Sequence, residues 1–415
     1  MKKLNGRKSF SLSDGVDVDW SWGEEALQRV DWSELEAFYR KEGVQSVFLD
    51  SRMMRTLLSS PERPFAILRW RRAGGLIGVA AVEDACAESV GLDAHISSER
   101  MWFRWISRLL HWRDNRFQFQ VRVVGTVLGS GLHGQVWASE VSEVQARHWL
   151  NETIFKPVQL NGVRTPHVVM IKDDPILDDQ PRREKHPGWI PLEFDPEMLL
   201  HLDPHWKDLK SYTDAMKTKG RTKIKRILAL SDELDVKEWD MVQIEEQGSR
   251  LIALYKQIYE RSGFRLGSLH LRELIESKRF WGENFVVNGF SLNGALVGFQ
   301  CAYVGREETE AFFVGFEPEL VKSHAIYQRM LLGFILLGLE RGSRRVNMGR
   351  TALEIKSSVG ALPRRLQCEV RFRNRLFHEL VRRYTKGYDP IQPSLRKPWG
   401  QEAFPLKAHS ELHAI

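Results

Sequence analysis

The sequence predicts an α/β (α+β) chain of two similar domains in tandem, each a mixed, twisted sheet flanked by helices. Three observations predict it. Residues 295–361 read as two strands, an apolar helix and a third strand, the order that closes a right-handed parallel unit. The hairpin carrying Leu76-Ile77-Gly78 echoes the one carrying Leu296-Val297-Gly298, 220 positions later, a spacing long enough for a whole domain each. The 415 residues, 42% of them apolar, suffice for the cores of two or three domains.

Composition narrows the class. A formal net charge of +7 favours an anionic partner such as a nucleotide, tRNA or a membrane surface. Cys86, Cys301 and Cys368 are far apart and lack paired ligand spacing, so neither a disulfide framework nor a metal site is expected. The opening stretch MKKLNGRKSFSLSDG has basic residues but no apolar segment after them, which argues against a secretory signal and for a cytoplasmic, soluble chain.

The first domain is expected over residues 1–180. Residues 24–58 read as two helices, the first stopped at Gly43 and the second bounded by Pro61. PFAILRWRR, a turn at Ala73-Gly74-Gly75 and LIGVAAV make a hairpin. In residues 101–117, Trp102, Trp105, Ile106, Leu109 and Trp112 share one helical stripe, as in a helix packed on a sheet; a membrane surface would suit the same stripe. FQFQVRVVG is a strand leading into a glycine-rich turn with Gly125, Gly129, Ser130, Gly131, His133 and Gly134. Such a turn can form an anion-binding nest with His133 as base or donor, or serve only as a loop. SEVQARHWLNETIF follows as a helix capped by Ser139 or Ser142, and RTPHVVMIKDD as a strand ending in Lys172, Asp173 and Asp174. Those acids could orient an amine or simply end an exposed strand.

A proline- and charge-rich passage, residues 174–196, has the punctuation of a linker, and a linker with a basic helical segment is expected over 181–240. Its helix carries Lys217, Lys219, Arg221, Lys223, Lys225 and Arg226. This cluster could hold a phosphate, a lipid head group or RNA, or be a solvated face opposite the apolar Leu209, Tyr212, Met216, Ile224 and Ile227. No aromatic residues interleave the lysines, which counts against a platform for single-stranded RNA.

The second domain is expected over 241–388, beginning with the amphipathic helices of RLIALYKQIYERSGFRL and SLHLRELIESKRFWG. ALVGFQCAYV and EAFFVGF are its strands, and the helix from His324 to Leu339 is apolar on several faces and stopped by Gly342. That apolar run is interrupted by Gln328 and Arg329 and is too short for a membrane span of roughly 20 residues. RRVNM then returns as a parallel strand, which sets Asn347 to Thr351 at a strand's carboxyl end, where α/β sheets bind ligands. Gly349 allows close backbone approach, Arg350 supplies a fork of donors, and Thr351 could cap the helix bearing Glu354 and Lys356; a plain tight turn is the other reading. LQCEVRFRNRLF is a last strand and helix, and residues 389–415 read as a tail that is loose or wrapped on the surface.

Residues 244–380 resemble the C-terminal half of FemAB-like bacterial proteins, members of the GNAT superfamily that carry two GNAT-fold domains in tandem. The resemblance rests on the LVGF strand, the helix with Tyr327, and the series Asn347, Met348, Gly349, Arg350, Lys356, Gly360 and Ala361. It implies a GNAT fold, an acyl or aminoacyl donor, and transfer to an amine. The stretch ending in His133-Gly134, the Lys-Asp-Asp strand end, and a basic helix after Trp206 and Tyr212 have counterparts in the same group, which implies substrate-binding roles for His133, Tyr212 and Arg221. One departure concerns the donor. Acyl-CoA enzymes of the superfamily hold the pyrophosphate on a glycine-rich loop at the start of the central helix. Here the stretch is Val321-Lys322-Ser323-His324-Ala325-Ile326-Tyr327, without glycine, so Lys322, Ser323 and the helix N-terminus are left to attract an anion, with Gly349, Arg350 and Lys356 beside the donor. His324, Tyr327 and Glu354 are the available acid and base types, Tyr327 also being a packing residue.

The expected function is therefore N-acyl transfer from an acyl-CoA-type donor, held as a substrate rather than a tight cofactor, to a small-molecule or envelope-precursor amine. Aminoacyl-tRNA-dependent transfer to a cell-envelope precursor is an alternative of the same fold. A non-catalytic binding protein on a degraded GNAT fold is another.

Overall fold

The computed structural model describes residues 6–12, 14–88, 118–156, 166–176, 187–261, 267–385 and 394–412. The expected helix at 101–117 lies outside them. In chain order the strands are β1 (Gly6–Ser11), β2 (Val16–Trp22), β3 (Phe65–Arg72), β4 (Gly75–Glu88), β5 (Gln118–Val124), β6 (Gln135–Trp137), β7 (Val168–Pro175), β8 (Ile190–Glu193), β9 (Glu197–His201), β10 (Asp235–Glu238), β11 (Phe285–Leu292), β12 (Ala295–Val304), β13 (Glu308–Phe316), β14 (Arg345–Asn347), β15 (Leu362–Arg364) and β16 (Leu366–Phe372).

Two mixed sheets result. The first has the order β1-β2-β3-β4-β5-β7-β16-β8, with β6 added beside β4. The second runs β10-β11-β12-β13-β14-β9-β15. Each is an antiparallel meander followed by one parallel step, β5 to β7 and β13 to β14. The connections that make parallel pairing possible contain the helices Glu143–Ile154 and Ile326–Glu340. The first starts at Ser142, one of the two serines expected to cap it, which forms a capping box with Gln145. The second buries Ile326, Met330, Leu332 and Ile335 and ends just before Gly342, which takes the left-handed φ of 67°.

Burial follows the residue pattern. Val16, Val18 and Trp20 on β2 alternate toward the core, whereas Phe65 to Trp70 on β3 are covered on both faces. One continuous core joins Trp20, Trp70 and Trp149 of the first half to Leu251, Phe285 and Tyr303 of the second. Across that junction Arg63 is buried, donates to Glu83 and Glu273, and reaches the Ser268 carbonyl at 2.8 Å.

The sheets exchange strands. Only Phe194, Asp195 and Pro196 separate β8 from β9, yet β8 edges the first sheet and β9 sits inside the second. Arg365 alone separates β15 from β16, yet β15 edges the second sheet while β16 lies between β7 and β8 in the first. Two expectations change accordingly. The segment expected as a linker contributes β8 and β9 to the sheets. The strand expected to end the second domain, Leu366–Phe372, pairs in the first sheet instead. A period-2 pattern identifies strands but not the sheet that receives them.

The C-terminal segment is also packed rather than loose. Trp399 is 2% exposed, stacks on Trp206 with centroids 5.5 Å apart at 17°, and donates its indole N–H to the Gly360 carbonyl at 2.8 Å. Gly360 has φ +102°, and any Cβ there would collide with the Trp399 ring. Beyond it, the helix Phe404–Leu412 places His409 against His201 of β9.

A fragment 6–193 lacks β16, the strand that lies between β7 and β8 in its sheet, so it is not expected to show a cooperative thermal transition by circular dichroism; a sharp melt of that fragment alone would disprove the dependence. Trp399→Ala is expected to cost about 3–5 kcal/mol, the usual range for a buried tryptophan, read by urea unfolding.

Candidate active site

The exchange creates the site, because it brings four strand ends from both halves to one place. At the crossing, Arg364 pairs with Glu197 and Arg365 with Glu193, the latter through two hydrogen bonds of 2.7 and 2.8 Å. Glu197 is fully buried, and its carboxyl also accepts from Asn347 Nδ2 at 3.1 Å. Burial pushes Glu197 upward in pKa, with Arg364 partly offsetting it.

Asn347 ends β14 and starts the turn expected from the sequence. Its side-chain oxygen accepts from the Gly349 N–H at 2.9 Å, an Asx-type closure. Gly349, Thr351 and Ala352 all have positive φ, at 65°, 65° and 49°. For a β-branched threonine this is strained backbone of the kind that collects at functional sites. Thr351 does not cap the following helix as expected: the helix Leu353–Ser358 begins after Ala352 without a side-chain cap. Lys356 holds the turn from below, donating to the Arg350 carbonyl and to the Gly349 carbonyl at 3.3 Å. It is buried, and desolvation lowers its pKa to about 7 against the pull of Glu310 and Asp195. Carbonyl oxygens thus occupy the ammonium expected to bind a donor.

Arg350 points across to the first half and pairs with Asp173. A register shift where β7 pairs with β16 sets Asp173 at φ 63°, and its Oδ1 also accepts from the Cys368 thiol at 3.2 Å. Burial alone would raise the Asp173 carboxyl; Lys172 and then Arg350 outweigh it and hold the group below its ordinary range. The Cys368 thiol is pushed up to about 12 by burial and the adjacent carboxylate, so it is inert as a nucleophile.

The glycine-rich turn closes the other side. Its base is fixed by Glu83, which accepts from the Thr126 hydroxyl at 2.8 Å and the Val127 N–H at 2.9 Å. Its interior does not wait for an anion: Lys172 donates to the carbonyls of Thr126, at 3.1 Å, and Gly129. His133 is buried with Nε2 3.0 Å from the Thr126 carbonyl, which places the proton on Nε2 and leaves Nδ1 without a partner. Gly131 approaches so closely that a Cβ would lie 3.2 Å from both Arg364 and Glu197. His133, the Lys-Asp-Asp strand end and the Asn347–Thr351 turn, three features read separately from sequence, therefore meet through Asp173 and Glu197.

Beside this junction the second sheet opens. β13 and β14 pair only over Glu308–Glu310 and Arg345–Asn347 and then diverge, leaving Ala311 to Val314 half-buried along the open edge. A bulge on β13 sets Cys301 opposite Phe313 and Ala302 opposite Ala311, so Phe312 has no partner in that ladder. At the fork sits Glu310, 3% exposed, whose carboxyl is pushed well above the usual range by burial and by Glu308 and Glu197. Glu308 itself is paired with Arg345. Sequence reasoning missed Glu197, Glu308 and Glu310; the acids at alternate positions of Glu308-Thr309-Glu310, on one face of an otherwise apolar strand, were the available signal.

The other candidates lie apart. Tyr327 is partly covered at the start of the helix Ile326–Glu340, its ring 5.7 Å from Phe316, and burial raises its pKa. His324 contacts Ser323 at 2.9 Å and Glu233 at 3.4 Å at the surface, while exposed Glu354 is tied to Arg396 of the tail. No hydrogen bond joins these three among the described residues. Lys322 and Ser323 lie on the short turn Leu320–Ser323 before that helix. Tyr212, expected to face a substrate, is sealed in the second core with its hydroxyl on the Val359 carbonyl. Arg221 folds back onto the Met216 carbonyl at 2.6 Å and Thr218 Oγ1 at 3.0 Å. Among the described residues no group of His, Cys, Asp and Glu could hold a metal ion, and no helix is long and apolar enough to cross a membrane.

Neither a protein-family model nor a curated protein matches this chain. Solved structures do. A tandem GNAT protein from the clavulanic acid biosynthesis pathway, solved without AcCoA, is similar at 11% identity and a TM-score of 0.50, over 86% of this chain and 98% of that one. FemX, at 10% identity and 0.46, covers 85% and 99%, and the C-terminal domain of a putative lysylphosphatidylglycerol synthetase from Agrobacterium fabrum, at 10% and 0.46, covers 86% and 99%. The fold is accordingly the tandem GNAT fold. The strand exchange and the fork at Glu310 are its features in this chain.

The buried state of His133 has a pH signature. Desolvation, with Lys172 adding, lowers its pKa from 6.5 to about 4. Between those values the unfolded chain binds the proton and the folded one does not, so stability rises with pH across this window, by on the order of 3 kcal/mol in all. His133→Gln is expected to lose roughly 2 to 3 kcal/mol less than the parent protein on going from pH 7 to pH 4.5; identical losses in urea titrations would place the histidine elsewhere.

Proposed function

We propose that the protein is an N-acyltransferase that passes an acyl group from an acyl-CoA-type thioester to an amine. The observation that carries this is the fork: β13 leaves β14 at Glu310 and Asn347, and a buried carboxyl of raised pKa stands at the apex. A wedge between parallel strands exposes unpaired backbone groups to a ligand, which can then take the place of a missing strand edge.

In this reading the donor's thioester enters between the diverging strands. The amine attacks the carbonyl carbon, a C–N bond forms, and Glu310 as carboxylate takes the proton from the nitrogen. A backbone N–H freed by the bulge at Phe312 would face the oxyanion. The C–S bond then breaks, and the leaving thiolate takes up the proton that Glu310 received, which returns Glu310 to the carboxylate. Most of the acceleration comes from positioning and oxyanion stabilisation. Arg350 and Lys356 shape the wedge by holding its turn, and the donor's anionic part is assigned to Lys322, Ser323 and the N-terminus of the helix Ile326–Glu340. The amine, an envelope precursor or a small molecule, is the second substrate.

One observation favours a second reading, transfer from aminoacyl-tRNA. Lys217, Lys219, Lys225 and Arg226 are exposed on and just before the helix Thr218–Leu230, a strong local positive surface.

Thermal shift with acetyl-CoA, longer acyl-CoA species and uncharged tRNA at two salt concentrations separates the readings, since binding to the folded state raises Tm by mass action. One acyl-CoA is expected to give a shift that survives Glu310→Gln, while that variant lowers kcat by about 10²- to 10⁴-fold and abolishes the rise of rate with pH that deprotonation of a high-pKa base produces. Full turnover in the variant rules out Glu310 as the base. A salt-sensitive shift with tRNA and none with any thioester points to aminoacyl transfer.

A further inference from the structure

On the outer edge of the first sheet, away from the fork, the chain forms a cavity of about 440 Å³. It lies where β16 runs into the helix Arg375–Thr385. Phe155 and Phe372 give it two aromatic walls, and Arg371, Arg373, Arg375 and Arg382 converge on it. One acid, Glu379, is among its lining residues, and it is already held by Arg382 at 2.8 and 3.0 Å and by Arg383 at 3.0 Å. Those hydrogen bonds lower the Glu379 pKa to about 2, so it stays an anion bound to its two arginines.

The other cations are not so occupied. The guanidinium groups of Arg373 and Arg375 are exposed and have no hydrogen-bonding or ionic partner among the described residues, and Arg371 is spread over the Phe155 ring at 5.2 Å. The N-terminal turn of the helix Arg375–Thr385 opens at the same place, with Asn374 capping the Phe377 N–H at 3.0 Å, and adds partial positive charge. Forked donors that match phosphate geometry, set beside aromatic faces, make a specific rather than a diffuse basic surface.

We propose that this cavity is a second binding site, for a phosphate-bearing ligand whose apolar or planar part rests on Phe155 and Phe372. It shares no residue with the fork, so it stands or falls independently of the acyl-transfer reading. The shared chemistry is a phosphate group. It could belong to a free organic phosphate or to a lipid head group, and the exposed Leu376 and Leu380 on the adjoining helix face would suit the latter.

The test uses the full chain and a double variant of exposed residues, Arg373→Ala with Arg375→Ala, beside a control double variant on the other basic surface, Lys219→Ala with Lys225→Ala. Binding of inorganic pyrophosphate and of ATP is measured by calorimetry, and binding of phosphatidylglycerol vesicles against phosphatidylcholine vesicles by sedimentation. The expected result is saturable binding of at least one anionic probe that weakens 10-fold or more in the arginine variant and less than 2-fold in the lysine control. Binding confined to phosphatidylglycerol vesicles identifies the phosphate as a head group, and binding of the soluble probes identifies a free ligand. Absence of binding by every probe, or equal weakening in both variants, overturns the proposal. Unchanged melting temperatures of the variants exclude misfolding as the cause of a loss.

Discussion

Two adjacent arginines secure the point on which the rest of the molecule depends. Arg364 and Arg365 stand where the chain passes from one sheet to the other, and each binds a glutamate, Glu197 or Glu193, at the opposite crossing. A strand that ended anywhere else would leave one sheet without the strand at its seventh position. The pairs are partly or fully buried, so they contribute less to net stability than to specification: two ion pairs at fixed positions exclude the register shifts that a short three-residue strand such as β15 would otherwise allow. An uncompensated charge left by any slip would be costly in this interior.

The same geometry explains why so many polar groups are buried around residue 350. Asp173, Glu197 and Glu310 are brought together by strands from both halves, and the arginines and Lys356 arrive from the segments that connect them. Their charges are balanced unequally. Asp173 has two cations and stays ionised, whereas Glu197 and Glu310 share Arg364 and are both raised. Carboxyls in one neighbourhood driven to opposite protonation behaviour by their surroundings are the arrangement that acid and base chemistry uses.

The sequence made much of this architecture readable, and its silences have physical causes. The helix ending at Gly342, a serine cap before the helix Glu143–Ile154 and the two hairpins were legible because capping, turn and periodicity signals are local. The turn at Asn347 to Thr351 was legible as a turn for the same reason. The convergence of His133 with Arg350 was not, since it depends on Asp173 adopting a left-handed conformation in a bulge between β7 and a strand almost two hundred residues later. The anchoring of the tail was illegible for a similar reason: its prolines and charges describe a segment without regular structure, but a single tryptophan, Trp399, is enough to anchor such a segment when a glycine opposite leaves room for its ring. Tyr212 and Lys356 were expected to meet ligands and instead satisfy backbone carbonyls, a demand that arises only once turns are buried.

Exchanged strands also set the order in which the molecule can be made. β7 cannot receive its neighbour β16 until about 200 residues after its own synthesis, and β9 waits some 150 residues for β14. At about 5 to 20 residues per second on the ribosome, the first sheet would spend roughly ten to forty seconds with an open interior edge. An unpaired edge of that kind is a template for pairing with another chain. Lys172 and Asp174 put charge on β7, the strand that waits longest, where it would oppose such encounters during the interval before the chain is complete.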